Sequence, residues 1–195
     1  MATFGMMSVN NPGRTTIVSV AYNSAGVIGD MLSSVPSGTP VFVVDNASSD
    51  NSAEVAVAAG ASVIRLPENQ GFGRGCNSGA AKATTEFLLF LNPDASLDAD
   101  CLEKLEAAAD HYATASGFNP AITDKDGSAY FKRGSRLLAR RDWMPRGRPA
   151  ADCEVPVLSG AALFCRRAQF EKIGGYDEAI FLYHEDDDLA LRLKS

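Results

Sequence analysis

The chain has 195 residues, 46% of them hydrophobic, and a net charge of −6 from 18 Lys and Arg against 24 Asp and Glu. That is enough apolar chain for one globular domain with a substantial core, and the negative balance argues against a nucleic-acid binder that works by general phosphate neutralisation. No run approaches the ~18 apolar residues of a membrane span, and Met1 to Arg14 lacks the basic-then-apolar order of a signal peptide.

Residues 1–14 read as a flexible tail. Thr15 to Ala21 is a β-branched run ending in Tyr22-Asn23. Val27, Ile28, Met31, Leu32 and Val35 then recur at helical spacing behind Ser24, the expected N-cap. Val41 to Val44 is a second strand ending in Asp45-Asn46, and Asn51 with Glu54 offers a capping-type start to a helix that closes at Gly60. Ser62 to Leu66 is a third strand, followed by a Gly-rich loop and a short Ala-rich helix. Phe87 to Leu91 is a fourth strand, with Leu102, Leu105 and Ala109 on a helix after Asp98. Asp124-Lys125-Asp126-Gly127 reads as a hairpin turn, the basic stretch to Arg148 as a long loop, and Val155 to Phe164 as strand. Ala168 to Ile173 is a short helix stopped by Gly174-Gly175. Continuous apolar strands alternating with helices predict a parallel sheet covered on both faces, with ligands outside the carboxyl ends of the strands. Asn23, Asp45, Asn92 and Asp94 then converge on one rim.

Four groups of residues carry chemistry. Asp45 to Asp50 is either an Asx-turn with a helix cap or a turn whose Asp45 accepts a hydrogen bond from a nucleobase edge. Asn69 to Ser78, which contains Gly71, Gly73 and Gly75, reads as a loop that brings backbone N–H groups to an anion, with Arg74 and Asn77 nearby. It is neither a GxGxxG fingerprint, since position 78 is Ser, nor a P-loop, since Gly-Lys-Ser/Thr is absent. Asn92-Pro93-Asp94 ends a strand at a proline, and Asp94 is either a cap after the strand, the commoner role, or the one carboxylate that Mg²⁺ or Mn²⁺ takes where a diphosphate completes the shell. Glu185-Asp186-Asp187-Asp188 opens a helix after Phe181-Leu182-Tyr183-His184. Four adjacent carboxylates repel, so the run is solvated, paired, or placed to bind a cation or take a proton; Asp188 at i,i+4 from Arg192 is the simplest pair. The seven basic residues between Lys132 and Arg148 are either a solvated loop or a contact for an anionic acceptor or membrane. Cys76, Cys101, Cys153 and Cys165 form no CxxC and imply reduced thiols.

These residues together resemble the family 2 inverting glycosyltransferases of the GT-A fold, in their rhamnosyltransferase-like branch. The resemblance runs from Thr16 to Leu193. It rests on Val-Ser-Val-Ala-Tyr-Asn at 18–23, Val-Val-Asp-Asn-Ala-Ser-Ser-Asp at 43–50, Asn-Gln-Gly-Phe-Gly-Arg-Gly-Cys-Asn at 69–77 and Leu-Asn-Pro-Asp at 91–94. Leu-Ser-Gly-Ala-Ala at 158–162 and Gly-Gly-Tyr-Asp-Glu through Tyr-His-Glu-Asp-Asp-Asp-Leu at 174–189 complete it.

The resemblance implies a single Rossmann-like α/β domain over 15–195, with a nucleotide-binding half to about residue 97 and an acceptor-side half beyond. It also implies a C-terminal truncation, because such enzymes continue past the acidic motif. The implied reaction moves a sugar from a nucleotide sugar, dTDP-rhamnose or a UDP-sugar, to a saccharide or lipid-linked acceptor in cell-envelope polysaccharide synthesis, in the cytoplasm or peripherally at the inner membrane face. Asp45 is implied to read a pyrimidine base, while Tyr22, Asn23, Asn69, Gly73, Asn77 and Asn92 line the nucleotide site. Asp94 holds Mg²⁺ or Mn²⁺, and Asn92 stands where many members have the first Asp of Asp-x-Asp. Asp186 is the general base, Glu185 its partner in the motif and Asp188 the fallback. A nucleotide-sugar-binding fragment without activity and a sugar-phosphate nucleotidyltransferase remain as alternatives.

Overall fold

A computed structural model describes residues 13–194. Strands β1 (Thr15–Ala21), β2 (Val41–Asp45), β3 (Ser62–Arg65) and β4 (Phe87–Leu91) alternate with α1 (Ile28–Ser33), α2 (Ser52–Ala58) and α3 (Phe72–Ala80). After α4 (Cys101–His111) come the short strands β5 (Gly117–Phe118), β6 (Ile122–Thr123) and β7 (Ala129–Tyr130), then β8 (Ala162–Arg166), α5 (Arg167–Lys172) and α6 (Glu185–Lys194). The main sheet runs β3-β2-β1-β4-β8-β5. β1 pairs in parallel with β2 and β4, and β2 with β3, so Ala21 lies opposite Asp45 and their carboxyl ends share one edge. β8 is antiparallel to β4 and brings Ala162 beside Leu91 at that same edge. The order of connection reverses between β1 and β4, the place where open α/β sheets leave a crevice.

Side chains along each strand alternate between two cores, as the period of two demands. Val18, Val20, Leu88, Phe90, Leu163 and Cys165 face α3, α5 and α6. Ile17, Ala21, Phe87, Leu89, Leu91 and Phe164 face α1, α2 and α4. Both faces are therefore covered, which is why β4 is wholly apolar and the polar residues of β1, Thr15, Thr16 and Ser19, are buried.

The glycines of 71–79 do something other than expected. The chain is helical from Phe72, so Gly73, Gly75 and Gly79 lie inside α3 rather than in a phosphate loop. A Cβ on Gly75 would come within 2.8 Å of Val20, and one on Gly79 within 2.4 Å of Val18. Glycine here lets a helix lie directly on β1. Two caps also differ. Neither Val27 before α1 nor Asn51 before α2 makes a side-chain cap bond; Asp50 instead accepts the Ser52 N–H, and Glu54 pairs with Arg65 at 2.7 Å. Strand structure near 162 starts after Ser159-Gly160 rather than spanning it. The hairpin at 124–127 forms as expected, with Gly127 at φ +83°. Of the expected tail, residues 1–12 lie outside the described residues. Arg14 is held, by ion pairs to Glu86 at 2.9 Å and Asp110 at 2.7 Å.

Candidate active site

Beyond the ends of β1 and β2, two turns are laced together. Asn23, at φ +54°, donates its N–H to Ser48 Oγ, and its side-chain oxygen accepts the Ser49 N–H at 2.8 Å. Asp45 is buried; its Oδ1 accepts the Ser48 N–H at 3.1 Å, which is the Asx-turn reading, and its Oδ2 stands 3.9 Å from Arg65. Tyr22 is exposed beside them. Asn46, to which the sequence motifs attach no role, is the junction residue. Its amide donates to Asn69 Oδ1 at 2.8 Å and accepts the Gln70 N–H at 2.9 Å, fixing the turn that leads into α3. Gly71 lies at φ +86°, and a Cβ there would sit 2.2 Å from the Phe181 carbonyl, which accepts the Phe72 N–H.

Two residues expected to line a nucleotide site face elsewhere. Asn77 donates to the Tyr176 carbonyl at 3.0 Å and accepts the Tyr176 N–H at 2.9 Å, so its amide clamps α3 to the chain after Gly175. Gly73 is buried against the Tyr176 side chain, 3.0 Å from where its own Cβ would be. Both serve packing in this arrangement, because the helix starts earlier than a loop reading allows.

Asn92 closes the rim on the other side, its N–H bonded to the Ala161 carbonyl and its own carbonyl accepting from Ala95. Asp94 is exposed, and its side chain makes no hydrogen bond or ion pair among the described residues. No group of three His, Cys, Asp or Glu there could hold a metal on protein ligands alone. A single unengaged carboxylate does fit a hard divalent cation that takes one or two carboxylates and fills its shell with phosphate oxygens.

The four carboxylates of α6 have four different surroundings. Glu185 is buried with Oε2 unpartnered among the described residues, and burial pushes its carboxyl up from the usual 4.5. Asp186 Oδ2 accepts from Lys132 Nζ at 2.6 Å and from the Gly160 N–H at 2.8 Å. Asp187, 3% exposed, meets Lys132 at 2.8 Å, the Ser135 hydroxyl at 2.6 Å and His184 Nδ1 at 2.9 Å. Burial would raise its carboxyl, yet the bonds from His184, Lys132 and Ser135 hold it below the usual 3.8. Asp188 pairs with Arg192 at 2.8 Å, the i,i+4 partner expected. Asp186 thus sits one residue from the Ala161–Asn92 contact, and α6 begins beside the end of β4.

Lys132 and Ser135 are the additions that no spacing in the sequence announces. Lys132 heads an arginine run in a loop, where a solvated cation is the default, and its partners lie 54 and 55 positions away.

Residues 16–174 match the family model Glycosyl transferase family 2. An N-acetylglucosaminyl-diphospho-decaprenol L-rhamnosyltransferase of Mycobacterium tuberculosis is 29% identical over 212 residues, covering 91% of this chain and 69% of that protein. Rhamnosyltransferase WbbL of Escherichia coli is 27% identical over 130 residues, 57% of this chain and 47% of its own. Among solved structures, TarS 1–349 of S. aureus superposes with a TM-score of 0.71 at 19% identity, covering 92% of this chain and 54% of TarS. Mannosyltransferase PcManGT from Pyrobaculum calidifontis, in complex with GDP-Man and Mn²⁺, gives 0.67 at 18% identity and covers 92% and 51%. The chain spans about half the length of these solved structures. The likeness establishes the GT-A architecture, and the family match covers the ends of β1, β2 and β4 that build the rim. The chain belongs to glycosyl transferase family 2.

Proposed function

We propose that this chain is an inverting glycosyltransferase that moves a sugar from a nucleoside-diphosphate donor, dTDP-rhamnose or a UDP-sugar, to a hydroxyl of a saccharide or lipid-linked acceptor in cell-envelope polysaccharide synthesis. The observation that carries this reading is the hydrogen-bonded belt along one sheet edge. It runs from Asn23 through the Ser48-Ser49 turn, Asp45, Asn46, Asn69, Gly71 and Phe181 to α6, and back through Gly160 and Ala161 to Asn92. Support for the donor comes from TarS, solved with UDP and with UDP-GlcNAc, and for the acceptor from the name of the mycobacterial relative. The site would act in the cytoplasm, and no helix among the described residues is long and apolar enough to cross a membrane.

In this reading residues 15–97 hold the nucleotide and the remainder serves the acceptor. Asp45 takes a base N–H, Tyr22 lies alongside, and Asn23 and Asn69 hold the turns in place. Asp94 holds Mg²⁺ or Mn²⁺, which when bound neutralises charge on the diphosphate leaving group. Asp186 accepts the proton of the attacking hydroxyl. Asp186 Oδ2 is occupied by Lys132 Nζ and the Gly160 N–H, so proton transfer requires Asp186 to exchange its Lys132 contact for the acceptor. That same contact favours the second reading, a nucleotide-sugar binder without turnover.

The test is nucleoside-diphosphate release from a panel of UDP-, GDP- and dTDP-sugars with Mg²⁺ or Mn²⁺, alongside calorimetric binding. The reading expects binding and release, with Asp186→Asn lowering turnover roughly 10²- to 10⁴-fold while leaving donor affinity in place. Absence of binding to every nucleotide overturns it, and binding without release establishes the second reading. Turnover that survives in Asp186→Asn but is lost in Asp188→Asn moves the base to Asp188.

A further inference from the structure

Two exposed features outside the donor site spring from the amino end of α6. The first is the loop 132–148, which holds seven of the 18 basic residues and one of the 24 acidic ones, so it carries +6 while the rest of the chain carries −12. Arg136, Arg140, Arg141, Arg146 and Arg148 are all exposed. Among the described residues, the ion pairs of these five amount to Arg141 with its neighbour Asp142 at 3.8 Å. Cations crowded on one loop repel, and in a chain with 23 acids elsewhere, internal pairing was open to them.

The second feature is Phe181-Leu182-Tyr183, three consecutive large apolar side chains exposed by 56%, 51% and 75%. They are held out rather than loose. The Phe181 carbonyl takes the Phe72 N–H, His184 contacts Asp187, and both Tyr183 and His184 adopt left-handed φ of +65° and +70°. Two successive non-glycine residues in that region are strained, and such strain persists where the surrounding contacts enforce it. Lys132, at the root of the basic loop, bonds Asp186 and Asp187 at 2.6 and 2.8 Å, so the loop and the apolar tip meet at one end of the helix.

We propose that this end of the molecule docks on an anionic lipid surface, with the arginines of 136–148 on the headgroups and the Leu182-Tyr183 tip in the interfacial layer. Basic side chains beside protruding apolar ones are the chemistry of an interfacial binder, each cation adding attraction and each buried apolar group adding desorption cost. The arginines are strung along the loop rather than gathered at one point, which suits a plane of headgroups better than a single phosphate. Single-stranded nucleic acid would need aromatic faces interleaved with the cations of the loop itself. Trp143 is the aromatic within the loop, and its ring packs on Gly134 and under the guanidiniums of Arg140 at 4.5 Å and Arg133 at 5.6 Å.

The test is sedimentation of the whole chain with vesicles of phosphatidylcholine alone or rich in phosphatidylglycerol, at low and high salt. It needs no turnover, so its failure is separable from failure of the transferase reading. Binding is expected to the anionic vesicles only, and to weaken steeply with salt. Arg136→Glu/Arg146→Glu/Arg148→Glu, at exposed positions without ion pairs among the described residues, should lower partitioning by about 100-fold or more, and Leu182→Ser/Tyr183→Ser by about tenfold. Unchanged thermal midpoints confirm that both variants fold. Equal binding to neutral vesicles, no binding to either, or retention in the arginine variant overturns the proposal. So does displacement from anionic vesicles by inorganic pyrophosphate, or tight binding of an RNA oligonucleotide without binding to vesicles.

Discussion

Lys132 bridges two carboxylates on one turn of α6, and Asp187 has almost no contact with water to replace it. Breaking a pair of this kind leaves a buried charge uncompensated, which costs about 3–5 kcal/mol when both partners are fully buried. Lys132 keeps some solvent, so Lys132→Met should cost roughly 2–3 kcal/mol at neutral pH, read from urea unfolding. The folded carboxyl of Asp187 lies below its ordinary 3.8, so its stabilisation is full above that value and fades as pH falls through the lower one. The gap between Lys132→Met and wild type should therefore narrow on acidification below about pH 4. Glu185 has the opposite sign. Its raised carboxyl makes the ionised form unfavourable in the fold, so stability declines as pH rises through and above 4.5. Glu185→Gln should raise the thermal midpoint at pH 8 and match wild type near pH 4. A midpoint that falls at both pH values would show that the buried carboxylate has a partner it cannot lose.

Element boundaries show where residue pattern speaks and where packing overrides it. β1 and β4 were legible to the residue, because buried parallel strands read as β-branched or apolar runs between polar ends, broken in β1 by Ser19 alone. The start of α3 was not. Glycine weakens helices by about 1 kcal/mol each, so a segment with Gly71, Gly73 and Gly75 reads as a loop until its contact with Val18 and Val20 is known. The same contact yields a prediction. In Gly79→Ala the new methyl meets Val18, which is buried and cannot swing aside, so overpacking of about 1–3 kcal/mol should outweigh the gain in helix propensity. Adding Val18→Ala should recover part of that loss in a double-mutant cycle. Gly26→Ala, with nothing within 4 Å of its Cβ, serves as the neutral control. Additive losses in the cycle would mean that α3 and β1 do not touch as described.

For the whole molecule, the rim residues of β1, β2 and β4 could be named from sequence because a parallel sheet sends every strand end to one edge. What could not be named is which polar groups answer which, since the links from Asn46 to Asn69 and from Lys132 to Asp186 span 23 and 54 positions and obey no helical or strand period. The belt nevertheless makes a global prediction. A ligand that binds the folded chain alone stabilises it by RT ln(1 + [L]/Kd), about 2.7 kcal/mol at a hundredfold excess over Kd, which for a chain of this size is roughly 5–10 °C in thermal midpoint. UDP or dTDP should produce such a shift, and Mn²⁺ should enlarge it, because cation and diphosphate would share a shell at Asp94. Asp94→Asn keeps the shape of an exposed side chain while removing its charge. It should abolish the Mn²⁺ increment and spare the shift due to nucleotide alone, whereas Asp45→Asn should weaken both, because the base would lose its acceptor. If the increment persists in Asp94→Asn, the cation is held by other groups, and the charge on the leaving diphosphate must be met from a different side of the rim.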